Sequence, residues 1–429
     1  MSPLTICLII FALTVAGYCS GIWSLATVSL LSLFALSVTG CLTPAEALSY
    51  FGNSNVIMIG AMAVVAAGFN RTQFCTNMAN AISKIAKGNL TMLMVGYGLI
   101  GMLLSQFIQS PVIVFGIVAP MAMASAEAMN VKPSKIIFPI ALIVLVTCCT
   151  LPVGAGATVA AELNGYIESY GYTKHLVGQL DPFIGRAPML IVGLAYGIFV
   201  APKFAPDEPV VLTSGSVKKA AAKEPLKPFA EWAGVIIFFA DAVALIFASK
   251  LGLTTWQVCL IGAVLMVCCG TLKPKEASAA LPVSMLLLIA GSLGMAGALA
   301  NTGAGAAIGG VVAKVVMGFG GNNYLIGLIF FVVPFILTQV MSNRGTMLIF
   351  HPIAIATAEV LGGNPVGLMI LVQAAALTAF MTPMATASVP YIMDLGGYDQ
   401  PSLFKQSWLI AIIATVVSVL WVMTFFPVL

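Results

Sequence analysis

Thr338, Ser342, Asn343 and Arg344 crowd the middle of one apolar stretch, TQVMSNRGTMLIFHP (338–352), and no other stretch gathers side chains so suited to binding ions. Thr338 and Ser342, four residues apart, share a helical face. Where a helix is interrupted, freed carbonyls with hydroxyl and amide oxygens suit sodium, and free N–H groups at a helix start favour an anion. Arg344 adds a rigid fork of donors matched to a carboxylate, phosphonate or sulfonate. A charge at membrane depth must face a partner or a watery cavity, because exposure to lipid is costly. Two roles for Arg344 stay open. It holds a substrate anion directly, partly standing in for a missing sodium, or it forms a structural ion pair with Asp241 or Glu162. His351 titrates near neutrality and is a candidate for proton coupling as well as for packing. Asp241, a carboxylate inside an apolar span, is a candidate for ion pairing, a proton relay or a buried hydrogen bond. Glu127 and Glu359 fall near the ends of apolar arms and read as interfacial.

The elements that must position these residues are membrane helices. The chain is 60% hydrophobic and 7% charged, against roughly 25% charged in a soluble domain. Apolar runs long enough to cross about 30 Å of hydrocarbon recur throughout, and the short alternating segments of a β-barrel are missing. This predicts an all-α polytopic membrane protein. The first run, from Leu4 to about Cys19, lacks a basic leader and reads as a retained span. The nine cysteines sit mostly inside spans without CxxC pairs, as small packing residues do. No Walker A loop or dinucleotide fingerprint is present, which speaks against ATP-driven transport within this chain. Neither a covalently bound cofactor nor a nucleic-acid partner is expected.

Spans are predicted at about 4–20, 22–41 and 54–70, then an amphipathic surface stretch at 71–88. A long segment at 90–127 is broken at QFIQSP, another at 135–168 is broken at TLPVGAGAT, and a span follows at 187–201. After a polar linker, 202–230, the pattern repeats. Spans fall at 231–249, 252–270 and 281–300, a Gly/Ala-rich stretch at 302–317, broken segments at 322–360 and 366–393, and a last span at 405–427. GCLTPAEA from Gly40 matches GTLKPKEA from Gly270. SPVIVFGIVAPMAMASAEAMNVKP from Ser110 aligns without gaps on SNRGTMLIFHPIAIATAEVLGGNP from Ser342, and the same register pairs Thr150 with Thr382 and Tyr166 with Tyr398. If the segments broken near 110 and 342 are re-entrant hairpins, each half crosses the membrane an odd number of times, so the halves are inverted. Placing both termini outside leaves only Lys174, Arg186, Lys250 and Lys314 on the outer side, as the positive-inside rule favours. The expectation is two inverted repeats of five spans and one hairpin each, in the cytoplasmic (inner) membrane. Its parts are scaffold (1–88), transport half (89–201), linker (202–230), scaffold (231–317) and transport half (318–429).

In these motifs the chain resembles the divalent anion/sodium symporters, the INDY-type dicarboxylate and citrate carriers of the ion transporter superfamily. In that family each hairpin tip carries Ser-Asn-Thr and each broken span a Thr-Pro-Pro-Asn-like loop. Here the second tip reads Ser342-Asn343-Arg344, ten residues before Pro352, and the second loop keeps Thr382, Pro383, Ala385 and Thr386. The first half departs further. Its tip is Ser110-Pro111-Val112, without the Asn, and its loop keeps Thr150 and Gly154 but not the paired prolines. The resemblance implies an elevator-type homodimer carrying a small anion, a di- or monocarboxylate, by sodium symport. It assigns substrate contacts to Ser110, Thr150, Gly154, Asn343, Arg344, Thr346, Thr382, Pro383 and Thr386. Sodium falls to Thr338, Ser342, Asn343 and Ala385, and less strongly to Gln106, Ser110 and Val153. A sodium/proton antiporter or metalloid-anion permease of the same superfamily is the alternative. An embedded enzyme or channel lacks a catalytic dyad or ligand cluster.

Overall fold

In hydrocarbon every backbone N–H and C=O must find its partner within the protein, so apolar runs close as helices. The computed structural model describes residues 1–20, 22–74, 77, 89–108, 111–127, 129–211, 226–318, 321–340, 342–383, 385–386 and 388–429. Among them every regular element is helical. The first half runs α1 (Pro3–Ser20), α2 (Leu25–Val38), α3 (Ser54–Arg71), a hairpin of α4 (Leu90–Phe107) and α5 (Pro111–Glu127), a broken span of α6 (Ile137–Thr147) and α7 (Val159–Tyr170), then α8 (Asp181–Ala195). The second half runs α9 (Pro228–Ile246), α10 (Thr255–Cys268), α11 (Val283–Asn301), α12 (Ala304–Gly318), a hairpin of α13 (Asn323–Thr338) and α14 (Asn343–Leu361), a broken span of α15 (Val366–Leu377) and α16 (Ser388–Gly396), then α17 (Gln400–Phe425).

Among the described residues six stretches are long and apolar enough to cross a membrane: Pro44–Arg71, Leu90–Phe107, Asp181–Phe204, Pro228–Leu245, Val283–Asn301 and Gln400–Phe425. Five of them fall on expected spans. The sixth, α4, is the first arm of a hairpin, full-length because the apolar run is cut late, after Phe107. The shorter apolar helices include α1, α2 and α10. Most of the surface stretch predicted at 71–88, and residues 212–225 of the linker, lie outside the described residues.

The repeated GCLTPAEA and GTLKPKEA motifs have a common physical cause. Gly40 (φ 78°) and Gly270 (φ 75°) take the left-handed conformation that ends α2 and α10. A proline-led turn follows, Pro44–Ser49 and Pro274–Ala280, capped when Glu46 and Glu276 accept the backbone N–H of Thr43 and Lys273, each at 2.8 Å. The halves also interlock: α2 packs on α11, and α10 packs on α3. At the centre α6 is buried along its whole length and α15 over all but its last residue, as expected of helices apolar on all sides. A cluster of Phe69, Phe107 and Phe238, with Phe69 stacked on Phe238 at 4.3 Å, seats the end of α4 against α3 and α9.

Candidate functional site

The second hairpin turns where α13 stops at Thr338 and α14 starts at Asn343. Ser342 caps α14, its Oγ accepting the Gly345 N–H at 3.1 Å. Thr338 Oγ1 lies 3.1 Å from Asn343 Oδ1 and 3.3 Å from the Ala376 carbonyl at the end of α15. Hydroxyl, amide and carbonyl oxygens thus converge where a helix ends, a neutral set of hard ligands that fits sodium.

Gln339, next to Thr338, ties the tip to the break between α15 and α16. Its Oε1 accepts the Met381 N–H (3.0 Å), its Nε2 donates to the Thr378 carbonyl (3.3 Å), and its own carbonyl accepts the Thr382 hydroxyl. The first half repeats this clamp with Gln106. Its Oε1 accepts from Thr150 N and Leu151 N, both at 2.9 Å, and its Nε2 donates to the Thr147 carbonyl at 2.9 Å. Gln106 therefore corresponds to Gln339, and Ser105 to Thr338. The gap-free register had set Gln106 against Thr338, because the first half has one residue more between its glutamine and its tip serine (106 to 110 against 339 to 342). This corrects the reading of Gln106 as a sodium ligand: its amide oxygen already serves two backbone donors.

Between the tips and the breaks lies a cavity of about 300 Å³. Pro111, Ser342, Asn343 and Arg344 line it from the hairpins, and Cys148, Cys149, Ala155, Leu377, Ala385, Thr386 and Ser388 from the breaks and their edges. Val159 and Glu162 of α7, Met347 of α14 and Gln373 of α15 complete the wall. Arg344 and Glu162 meet across it: Nη1 lies 2.6 Å from Glu162 Oε1 and 2.7 Å from Oε2. The Arg344 side chain keeps 31% of its surface accessible, against 9% for Glu162. Because one nitrogen makes both contacts, Nε and Nη2 are not spent on this carboxylate. Two buried polar atoms on the wall, Gln373 Oε1 and Ser388 Oγ, have no hydrogen-bond partner among the described residues.

Of the sequence-predicted residues, Ser342, Asn343, Arg344, Ala385 and Thr386 are thus gathered on one cavity. Ser110 lies outside the described residues. Thr150 and Thr346 are buried but do not line the cavity, and their hydroxyls have no partner among the described residues. Gly154 is not a wall residue. Its φ of 56° and its approach to the Gln106 carbonyl, 2.8 Å from where a Cβ would stand, make it a packing point between break and tip. The Val153 carbonyl is taken by the Gly156 N–H, Pro383 is exposed, and Thr382 serves the Gln339 clamp. Asp241 is far from this chemistry. It lies between α9 and α10 with Oδ1 2.5 Å from where a Cβ on Gly262 would stand, so the pairing with Arg344 falls to Glu162. His351 is buried against Tyr166, ring centroids 5.3 Å apart. Arg186, counted as an outer-side charge from the sequence, is buried inside α8 and donates to carbonyls at the end of α6.

Sequence reasoning missed Gln339, Gln373 and the position of Arg186. A signal existed for each: Ser-Gln and Thr-Gln precede both tips once a one-residue gap is allowed, Gln373 is the one polar side chain of α15, and Arg186 follows an apolar turn.

Helices broken in pairs around a cavity that holds an ion pair, in an apolar protein, define a polytopic membrane transporter, and the comparisons agree. The profile of the citrate transporter family (CitMHS) matches residues 6–344. The chain belongs to this family, within the ion transporter superfamily. An uncharacterised transporter of Haemophilus influenzae is 24% identical over 408 residues, 91% of this chain and 85% of that protein. Uncharacterised transporters of Synechocystis (29% identical over 42% of this chain) and Escherichia coli, YfbS (30% over 33%), match in part. The aligned regions span 28% and 23% of those two proteins. In fold the chain resembles MtrF of Neisseria gonorrhoeae, described with a class of antimetabolite efflux pumps (TM-score 0.67, 13% identity, 100% of this chain and 96% of that one). It also resembles the YdaH transporter of Alcanivorax borkumensis (TM-score 0.63, 13% identity, 100% and 99%).

Proposed function

We propose that this chain is a secondary active transporter carrying a small organic anion, a di- or monocarboxylate, by sodium symport. One observation carries the reading: a cavity where both hairpin tips and both breaks converge presents Arg344 beside a neutral oxygen cluster suited to sodium. The substrate carboxylate takes the free edge of the Arg344 fork. Asn343, Thr386 and Ser388 donate the remaining hydrogen bonds, and Gln373 Oε1, an acceptor, takes a hydroxyl or amine proton of the substrate. Gln373 Oε1 and Ser388 Oγ, buried and unpartnered among the described residues, are otherwise costly. Glu162 acts as a resident carboxylate that neutralises Arg344 when substrate is absent and yields to it on loading. Sodium at Thr338, Asn343 and Ala376 fixes the tip against the end of α15, which orders the anion seat and couples the two ligands. Ser342 and Ala385, to which the family resemblance also assigns sodium, line the same cavity and are proposed to complete that position.

The two halves are inverted, with both termini outside the cytoplasmic membrane. Residues 1–88 and 231–317 form the scaffold through which two copies pair. Residues 89–201 and 318–429 form the moving body, with 202–230 as the linker. Alternating access is then a sliding of this body along α3 and α11, against which α7 packs.

The test is uptake of a panel of radiolabelled small anions into proteoliposomes with and without an inward sodium gradient. Sodium-driven uptake of a carboxylate is the expected result. Uptake indifferent to sodium but accompanied by proton movement overturns symport and establishes an exchanger.

A further inference from the structure

Helix α6 stops at Thr147, so the carbonyls around its end lose their helical donors. Four consecutive ones are taken by two side chains. Arg186 Nη1 donates to Cys148 (3.0 Å) and Cys149 (3.2 Å), Arg186 Nη2 to Val146 (3.3 Å), and Gln106 Nε2 to Thr147 (2.9 Å). Arg186 is 2% exposed. Among the described residues no carboxylate lies within ion-pair distance of it. Its charge is balanced by carbonyl dipoles, as that of a bound sodium is. Neutral amides would satisfy the same carbonyls without the desolvation cost of a buried charge, so the charge itself calls for an explanation.

The second half supplies the contrast. There the Ala376 and Thr378 carbonyls at the end of α15 receive neutral donors, Thr338 and Gln339. The one basic residue of α17, the counterpart of α8, is Lys405, which is exposed. The first tip also has Pro111 where the second has Asn343, so it lacks the amide oxygen that helps make the second-half cluster.

We propose that Arg186 is a resident cation filling the first half's ion position, which leaves one exchangeable sodium position, in the second half. The proposal rests on the sodium-coupled reading above. A covalently held charge travels with the moving body on loaded and empty strokes alike. It neutralises the carbonyls at the break and helps attract the substrate anion, but contributes nothing to the ion gradient's driving force.

The test is equilibrium binding of radiolabelled sodium to the purified full chain, wild type and Arg186→Ala, with size-exclusion profiles to confirm folding. The expected result is about one sodium per wild-type chain and about two per variant chain, the gained site being competed by methylguanidinium. Two sodium ions on wild type overturn the proposal, and so does a folded variant that gains none. If the variant does not fold, the wild-type count decides alone: one upholds the proposal, two overturns it. If wild type binds no sodium, the symport reading fails. The resident cation then stands or falls on whether Arg186→Ala gains a sodium competed by methylguanidinium, or, with that variant unfolded, falls with it.

Discussion

Arg344 and Glu162 lock two halves of the chain together through a single guanidinium nitrogen. Removing one partner of such a pair strands a charge in a low-dielectric site, at a cost of about 3–5 kcal/mol. Arg344→Gln alone is therefore expected to lose both transport and thermal stability. The double variant Arg344→Gln with Glu162→Gln leaves no stranded charge, and it should fold with near wild-type thermal stability in detergent yet take up no anion. Uptake by that double variant would show the pair to be purely structural. Glu162→Gln on its own strands Arg344 and should also lower thermal stability. In the protein that stays folded it removes the resident competitor for the fork, so the apparent KM for the anion should fall, by about tenfold if roughly 1.4 kcal/mol of competition is relieved. Titrating initial uptake rates against substrate concentration checks this, and an unchanged or raised KM would oppose it.

At the scale of elements, the two glutamine clamps hold what the helices cannot. Each break frees backbone groups, and each clamp returns donors and acceptors to them through one amide. Replacing Gln106 or Gln339 by leucine orphans buried backbone groups at about 1–3 kcal/mol apiece. Each variant should lower the melting temperature, with Gln339→Leu also weakening sodium dependence because Thr338 adjoins it. Ser342→Ala removes the α14 cap for about 1 kcal/mol and should raise the sodium concentration needed for half-maximal uptake. A Gln339→Leu variant with wild-type stability and sodium response would contradict the clamp. The repeat was legible here from GCLTPAEA and GTLKPKEA, since a left-handed glycine and a capped proline turn are local devices. The clamp was not legible, because its register depends on how tightly each hairpin turns.

For the molecule as a whole, the sliding surface proposed above is the contact of α7 with α3 and α11. A Cβ on Gly165 of α7 would stand 3.2 Å from Leu293 Cδ2 of α11, and Tyr166 Oη lies 3.1 Å from Ser292 Oγ. Cysteines placed at 165 and 293 and joined by a short bismaleimide should abolish uptake while sodium binding persists. Uptake that survives quantitative cross-linking would rule out movement along this surface.

Local patterns determined much of this protein without any tertiary information. Apolar runs dictated helices because hydrocarbon tolerates no unpaired backbone, and prolines, glycines and hydroxyls placed inside those runs marked the breaks. The Ser342-Asn343-Arg344 tip was readable for the same reason: its neighbours in sequence are its neighbours in space. Only the folded chain decided which charge meets which. Glu162 and Asp241 are equally plausible partners for Arg344 on paper, since either burial would be costly alone. The packing of α7 across the cavity brings Glu162 to it and leaves Asp241 between α9 and α10. Arg186 shows the same limit from the other side. Near a helix start it looked like a boundary charge, until α6 ended beside it and offered three carbonyls to its guanidinium.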